Sequence, residues 1–228
     1  MATQITDVFF DLDHTLWDFE KNSNLAFETI FKKYQMDLDF DAFYRNYVPI
    51  NMKFWEQYRK DEITQAQLRY GRLKEVFESV QYQIEAEKIL ILSDEYVHYL
   101  PTFNHLFDGA IELLDYLKPK YKLHIITNGF DKIQKIKIEN SNIGHYFQTV
   151  TNSESAGVKK PNPIIFEHAL NLAQAKSENS IMIGDCIDAD VRGALNAGFD
   201  AVFFTESTII IDENIKQINH LSELKKYL

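Results

Sequence analysis

A chain of 228 residues with 45% hydrophobic and 14% aromatic content holds enough apolar mass for a sizeable core, which excludes the disordered and fibrous classes. A formal net charge of −10, with no dense Lys/Arg run to offset it, repels phosphate backbones and removes nucleic acid from the expected partners. Cys186 is the single cysteine and closes no internal disulfide, no run of about 18 apolar residues is present to cross a membrane, and the N-terminal residues lack a charged-then-apolar signal, so the expected location is cytoplasmic.

The first element is the apolar run Val8-Phe9-Phe10, read as a buried strand and followed at once by Asp11-Leu12-Asp13-His14-Thr15. Carboxylates two apart share one cation or one substrate where a strand gives way to a loop, which makes this segment a candidate phosphoryl-transfer site. From Phe19 to about Leu92 no convincing strand follows. Leu25-Ile30-Phe31-Tyr34, Phe43-Tyr47, Phe54-Trp55-Tyr58 and Leu68-Leu73-Phe77 carry helical spacing instead, and predict an all-helical insertion. Pro101 and Gly109 bracket the return, and the expected division is an α/β core of residues 1–17 and 96–228 with a helical cap of 18–95.

Beyond Gly109 the patterns alternate. Ile111-Leu114-Leu117 reads as helix, Leu123 to Ile126 as strand, Ile133-Ile136 as helix, and Thr149 to Thr151 as a weaker strand. Ile165-Leu170-Leu172 after Pro161 and Pro163 predicts a helix, Ile181 to Ile183 a strand, Val191-Leu195 before Gly198 a helix, and Ala201 to Phe204 a last strand. This alternation predicts an α/β fold with a doubly wound, mostly parallel Rossmann-like sheet and the helical cap inserted in it.

Polar groups recur behind the apolar runs: Asp11 and Asp13; Thr127-Asn128-Gly129; Lys159-Lys160-Pro161; and Gly184-Asp185 with Asp188 and Asp190. Ligands of such sheets bind outside the strands' carboxyl ends, so these groups are expected to converge. A carboxylate that attacks phosphorus needs its charge partly neutralised, a task for hard Mg²⁺ among carboxylate oxygens and water; Asp11, Asp185 and the main-chain carbonyl of Asp13 suit such a site.

In order and spacing these segments resemble the haloacid dehalogenase superfamily, whose pattern is DxDx(T/V), a strand ending in Thr or Ser, Lys-Pro, and GDxxxxD; the helical insertion resembles that family's cap. The resemblance implies a nucleophile at Asp11 that forms an aspartyl-phosphate, and a general acid and base at Asp13. It implies phosphoryl-oxygen ligands at Thr127 and the Asn128 amide, charge compensation by Lys160, and Asp190 orienting Lys160 or the metal ligands.

Simpler readings stand beside these. Asp11, Asp13, Asp185 and Asp188 are ordinary loop and helix-cap residues, Gly129 is a turn glycine, His14 points away from its neighbours, and Cys186 is an inert thiol. Cap aromatics at helical spacing are mainly core, whereas Trp17 and Phe19, on the linker beyond the nucleophile loop, are expected at the substrate's leaving group. Asp13 separates the chain from dehalogenases, in which the family pattern has a bulky aromatic there. The stretch from Asp11 to Asn22 resembles nucleoside 5′-monophosphatases acting on pyrimidine and non-canonical pyrimidine nucleotides, with sugar-phosphate or phosphoglycolate-type phosphatases as the alternative and a phosphomutase further off. The expected partner is a small phosphate ester, without nucleic acid or membrane, and the expected state is a monomer or homodimer.

Overall fold

The computed structural model describes residues 4–210 and 212–228. The chain divides into two compact units, one of Met1–Phe19 with Asn104–Leu228 and the other of Glu20–Phe103.

Among the described residues the first unit holds one parallel sheet of β1 (Asp7–Phe10), β2 (Lys122–Thr127), β3 (Phe147–Asn152), β4 (Ser180–Gly184), β5 (Asp200–Phe204) and β6 (Lys216–Ile218), in the order β3-β2-β1-β4-β5-β6. β1 is buried along its whole length, as a strand covered on both faces must be, and pairs Phe10 with Ile125 on one side and Ile183 on the other. The chain builds outward from β1 through β2 to β3, then returns to β4 on β1's other side. The order therefore reverses beside β1, where open α/β sheets form a crevice. The expected doubly wound sheet is present, and the weak strand at Thr149 to Thr151 lies within β3. β6 is a three-residue Lys-Gln-Ile edge with no apolar run to announce it.

The second unit is all helix among its described residues. Its helices are α1 (Phe19–Tyr34), entering from the boundary, α2 (Phe40–Arg59), α3 (Gln65–Ser79) and α4 (Ala86–Tyr99), with α4 running past the Leu92 where the sequence pattern fades. The Asp39 carboxylate accepts the Asp41 and Ala42 N–H groups to start α2, and Thr64 with Gln67 forms a capping box on α3. The aromatic load is this unit's own core: Phe27 stacks on Tyr96 with ring centres 4.4 Å apart, meets Tyr47 edge-on at 4.6 Å and packs on Phe43 at 5.1 Å. Tyr47 Oη donates to Tyr96 Oη at 3.0 Å, and the buried Arg72 lies 4.8 Å from the Tyr96 ring centre while donating to Asn51 Oδ1.

The remaining helices are α5 (Ala110–Leu117), α6 (Asp131–Asn140), the short α7 (Ser153–Ala156), α8 (Pro163–Ala173) and α9 (Gly193–Asn196), the last preceded by a π-helical turn over Ile187–Arg192. All but α7, whose four residues carry no helical pattern, lie where the sequence expects them, and Leu114, Leu117 and Ile165 face inward as the spacing implies, whereas other expected positions do not. α5 buries Ala110, Leu113, Leu114 and Leu117 and leaves Ile111 exposed, and α8 buries Ile165, Phe166, Ala169 and Ala173 and leaves Leu172 exposed. On α8 the small Ala169 and Ala173 join the inward face, and α9 approaches closely: a Cβ on Gly193 would lie 2.9 Å from the Phe166 ring. α6 departs most: its buried side is Gln134, Lys137 and Ile138, not the Ile133-Ile136 face. α8 begins at Pro163 with Asn162 Oδ1 accepting the Ile164 N–H, so Lys160 and the cis-bonded Pro161 lie in the loop before the helix rather than at its start.

Candidate active site

β1 ends at Phe10, but the Asp11 N–H still donates to Ile183 O at 2.8 Å, which fixes the main chain at that carboxylate against the end of β4. The N–H groups of Thr15, Leu16 and Trp17 then all turn back to Leu12 O, and His14 adopts a left-handed φ of 61°. This tight turn breaks the strand's alternation, so Asp11 and Asp13 enter different surroundings.

Asp11 Oδ1 accepts from Lys160 Nζ at 2.5 Å, and the same buried ammonium donates to Ile126 O at 2.6 Å and lies 2.7 Å from Asp190 Oδ1. Asp190 Oδ2 accepts the Cys186 N–H at 2.9 Å. Gly184 makes room for it, since a Cβ there would come within 2.4 Å of the Asp190 carboxyl. Asp11, Asp185 and Asp190 each offer an oxygen within 4.8 Å of the others. Asp190, expected to orient Lys160 or the metal ligands, lies against Lys160 and also belongs to this acidic group; the Asp13 side chain does not.

Burial raises the Asp11 carboxyl well above the usual carboxylate range, with Lys160 opposing and Asp190 and Asp185 reinforcing. Asp185 is pushed up to about 8, first by burial and then by the Asp190 charge. Burial acts against the Lys160 ammonium, but Asp11 and Asp190 outweigh it and hold its pKa above the ordinary lysine value. Three carboxyl groups face one ammonium, too many for it to offset once all are ionised, and such a set of hard oxygen donors fits a hard divalent cation.

Thr127 Oγ1, at the end of β2, accepts from the Gly129 N–H at 3.1 Å and from Gln134 Nε2 at 2.8 Å. Gly129 is not in the left-handed region, so the turn-glycine reading is not needed; a Cβ there would lie 2.3 Å from Gln134 Nε2. Asn128 clasps the main chain of Lys160: its Oδ1 accepts the Lys160 N–H at 2.7 Å and its Nδ2 donates to the Lys160 carbonyl at 3.0 Å. Asp13 turns to α6, its Oδ1 accepting from Lys137 Nζ at 2.5 Å and its Oδ2 from Gln134 Nε2 at 2.8 Å.

A model of the haloacid dehalogenase-like hydrolases matches residues 7–198 of this chain. The chain belongs to that hydrolase family. It is 32% identical to the pyrimidine 5′-nucleotidase YjjG of Escherichia coli (strain K12) over 84% of this chain and 82% of that protein. It is 30% identical to the pyrimidine 5′-nucleotidase PynA of Streptococcus pneumoniae over 96% and 91%. The structure of the HAD-hydrolase YfnB from Bacillus subtilis bound to magnesium matches with a TM-score of 0.89 at 26% identity, covering 99% of each chain.

In this haloacid dehalogenase-like hydrolase the expected polar segments meet at the ends of β1, β2 and β4 and in the loop before α8. Asp188 does no more than pair with Arg192 at 2.7 Å on the surface, and the helical turn after β4 is capped by Cys186 Sγ, which accepts the Ala189 N–H, rather than by Asp185. Trp17 and Phe19, expected at the leaving group, are 0% and 5% exposed, so neither ring presents a face to a ligand in this structure. They pack against Lys137, whose Nζ lies 4.2 Å from the Trp17 ring centre and 5.4 Å from that of Phe19. Gln134 and Lys137 escape sequence reasoning, because Lys137 stands among other lysines on a helix whose isoleucines claim the inward face. The Gly129 that Gln134 requires is the one local signal.

Proposed function

We propose that this hydrolase is a magnesium-dependent phosphomonoesterase that works through an aspartyl-phosphate, with pyrimidine or non-canonical pyrimidine nucleoside 5′-monophosphates as substrates. The observation that carries the reading is the divergence of Asp11 and Asp13, one carboxylate set in the acidic group with Lys160 and the other held by neutral and cationic donors from α6. Two carboxylates in contrasting surroundings divide between nucleophile and proton carrier. The nucleotide class rests on the two relatives named pyrimidine 5′-nucleotidases, and the cation on the oxygen donor set together with the magnesium-bound YfnB structure.

Asp11 and Asp185, with the main-chain carbonyl of Asp13, would hold Mg²⁺, which supplies charge neutralisation for the nucleophile and the phosphoryl oxygens. In the first step an Asp11 carboxylate oxygen bonds to phosphorus as the bond to the leaving oxygen breaks, and Asp13 gives that oxygen its proton. Thr127, the Asn128 amide and Lys160 stabilise the phosphoryl oxygens, while Asp190 and the Asn128 side chain keep Lys160 in place. In the second step Asp13 removes a proton from water as its oxygen attacks phosphorus, and the bond to Asp11 breaks to release inorganic phosphate. The motif residues handle only the phosphoryl group, so we assign the choice of leaving group to the helical unit.

The test is hydrolysis of 4-nitrophenyl phosphate and of a panel of nucleoside monophosphates and aldose phosphates, by wild type and Asp11→Asn, with Mg²⁺ and with chelator. Expected are Mg²⁺-dependent turnover, loss of activity to background in the variant, the highest kcat/KM on pyrimidine nucleotides, and no halide from 2-chloropropionate. Activity surviving Asp11→Asn or chelation overturns the mechanism, and a preference for aldose phosphates overturns the substrate class.

A further inference from the structure

α6 buries two polar side chains one turn apart on its inner face, Gln134 at 1% and Lys137 at 2% exposure, while Ile133 and Ile136 remain partly exposed. Burying a lysine where an isoleucine was at hand is unfavourable unless the charge is engaged, and here it is engaged by Asp13. The two donors divide the Asp13 carboxylate between them, Lys137 Nζ on Oδ1 at 2.5 Å and Gln134 Nε2 on Oδ2 at 2.8 Å. Gln134 Nε2 also donates to Thr127 Oγ1, so one side chain ties the carboxylate to the threonine proposed to hold a phosphoryl oxygen. The Trp17 and Phe19 rings flank the Lys137 ammonium, and Gly129 supplies the space Gln134 fills.

We propose that Gln134 and Lys137 are positioning residues of this hydrolase: they fix the Asp13 carboxylate in one orientation, so that proton transfer to the leaving oxygen starts from a set geometry. Trp17 and Phe19 then act on catalysis through Lys137, by holding its ammonium against Asp13. The inference rests on the phosphomonoesterase reading, in which Asp13 is the proton carrier. Positioned groups of that kind contribute about 10²–10⁴-fold, and small displacements forfeit much of it.

The experiment compares kcat/KM for uridine 5′-monophosphate, whose alkoxide leaving group needs a proton, with that for 4-nitrophenyl phosphate, whose phenoxide leaves without one. Lys137→Met keeps length and apolar packing while removing the charge; Gln134→Leu removes the second donor together with its bond to Thr127 Oγ1. Expected for Lys137→Met is a loss of at least about tenfold on the nucleotide and under about threefold on the aryl ester, with the same selectivity, smaller, in Gln134→Leu. In an Asp13→Asn background Lys137→Met should cost nothing further on the nucleotide, because residues acting as a unit are not additive. Equal losses on both substrates, or additive losses in the double variant, overturn the inference and leave the phosphomonoesterase reading standing. Wild type that turns over neither ester, or turns them over without Asp11, overturns both. Should Lys137→Met fail to fold by circular dichroism, Lys137→Gln takes its place, with the same expected and overturning outcomes.

Discussion

Burial of Asp185 beside Asp190 should make the stability of the protein in chelator depend on pH. The Asp185 carboxyl is pushed up to about 8 in the folded chain, against an ordinary value of 3.8. Between those limits the native state keeps a proton that the unfolded state releases, so this group lowers stability as pH rises through the window. In chelator, the Tm of Asp185→Asn relative to wild type should therefore climb from about pH 4 to about pH 8 and level off above it, measured by scanning calorimetry. A difference that stays flat would mean the carboxyl ionises as readily in the fold as out of it. The same residue was legible from its place behind Gly184, because a carboxylate at the end of an apolar strand is a recognisable pairing. Lys137 was not, since its meaning comes from the partner it reaches, a carboxylate more than a hundred residues away.

α6 shows the corresponding limit for an element. β1, β2, β4 and β5 stand out as apolar runs and β3 only weakly, while the four-residue α7 has no periodicity to announce it; on the longer helices periodicity finds Leu114, Leu117 and Ile165 on the buried side but misjudges their neighbours. It gave weight to Ile111, Leu172 and Ile136, whereas close packing favours Ala110, Ala169 and Ala173, and the site recruits Gln134 and Lys137. The junction of β2 with α6 supplies a direct check. Gly129 has an ordinary φ, so alanine fits the main chain there, and the collision falls on the Gln134 side chain. Gly129→Ala should leave the unfolding free energy from urea titration within about 1 kcal/mol of wild type while lowering kcat/KM at least about tenfold on nucleotides. A large stability loss with unchanged kinetics would show that the glycine serves the turn instead.

Across the molecule, the proposed metal couples the site to global stability. Magnesium at a hundred times its dissociation constant adds about 2.7 kcal/mol to the folded state. In a chain of this length that raises Tm by roughly 5–11 °C, a shift that Asp185→Asn should largely erase. An equal shift in the variant would place the cation elsewhere. The strand order carries a different consequence, for the birth of the protein. β1 is made first yet pairs only with β2 and β4, so its hydrogen-bonding edges wait while the ribosome adds everything from Phe10 to Lys122. At 5–20 residues per second that wait lasts roughly 6–20 s. What emerges meanwhile is the helical unit, whose local contacts form fast. During synthesis, then, a central strand of the sheet, apolar from Val8 to Phe10, is the one longest in need of shelter, and holdase chaperones should engage nascent chains of this protein before β2 is complete and release them soon after.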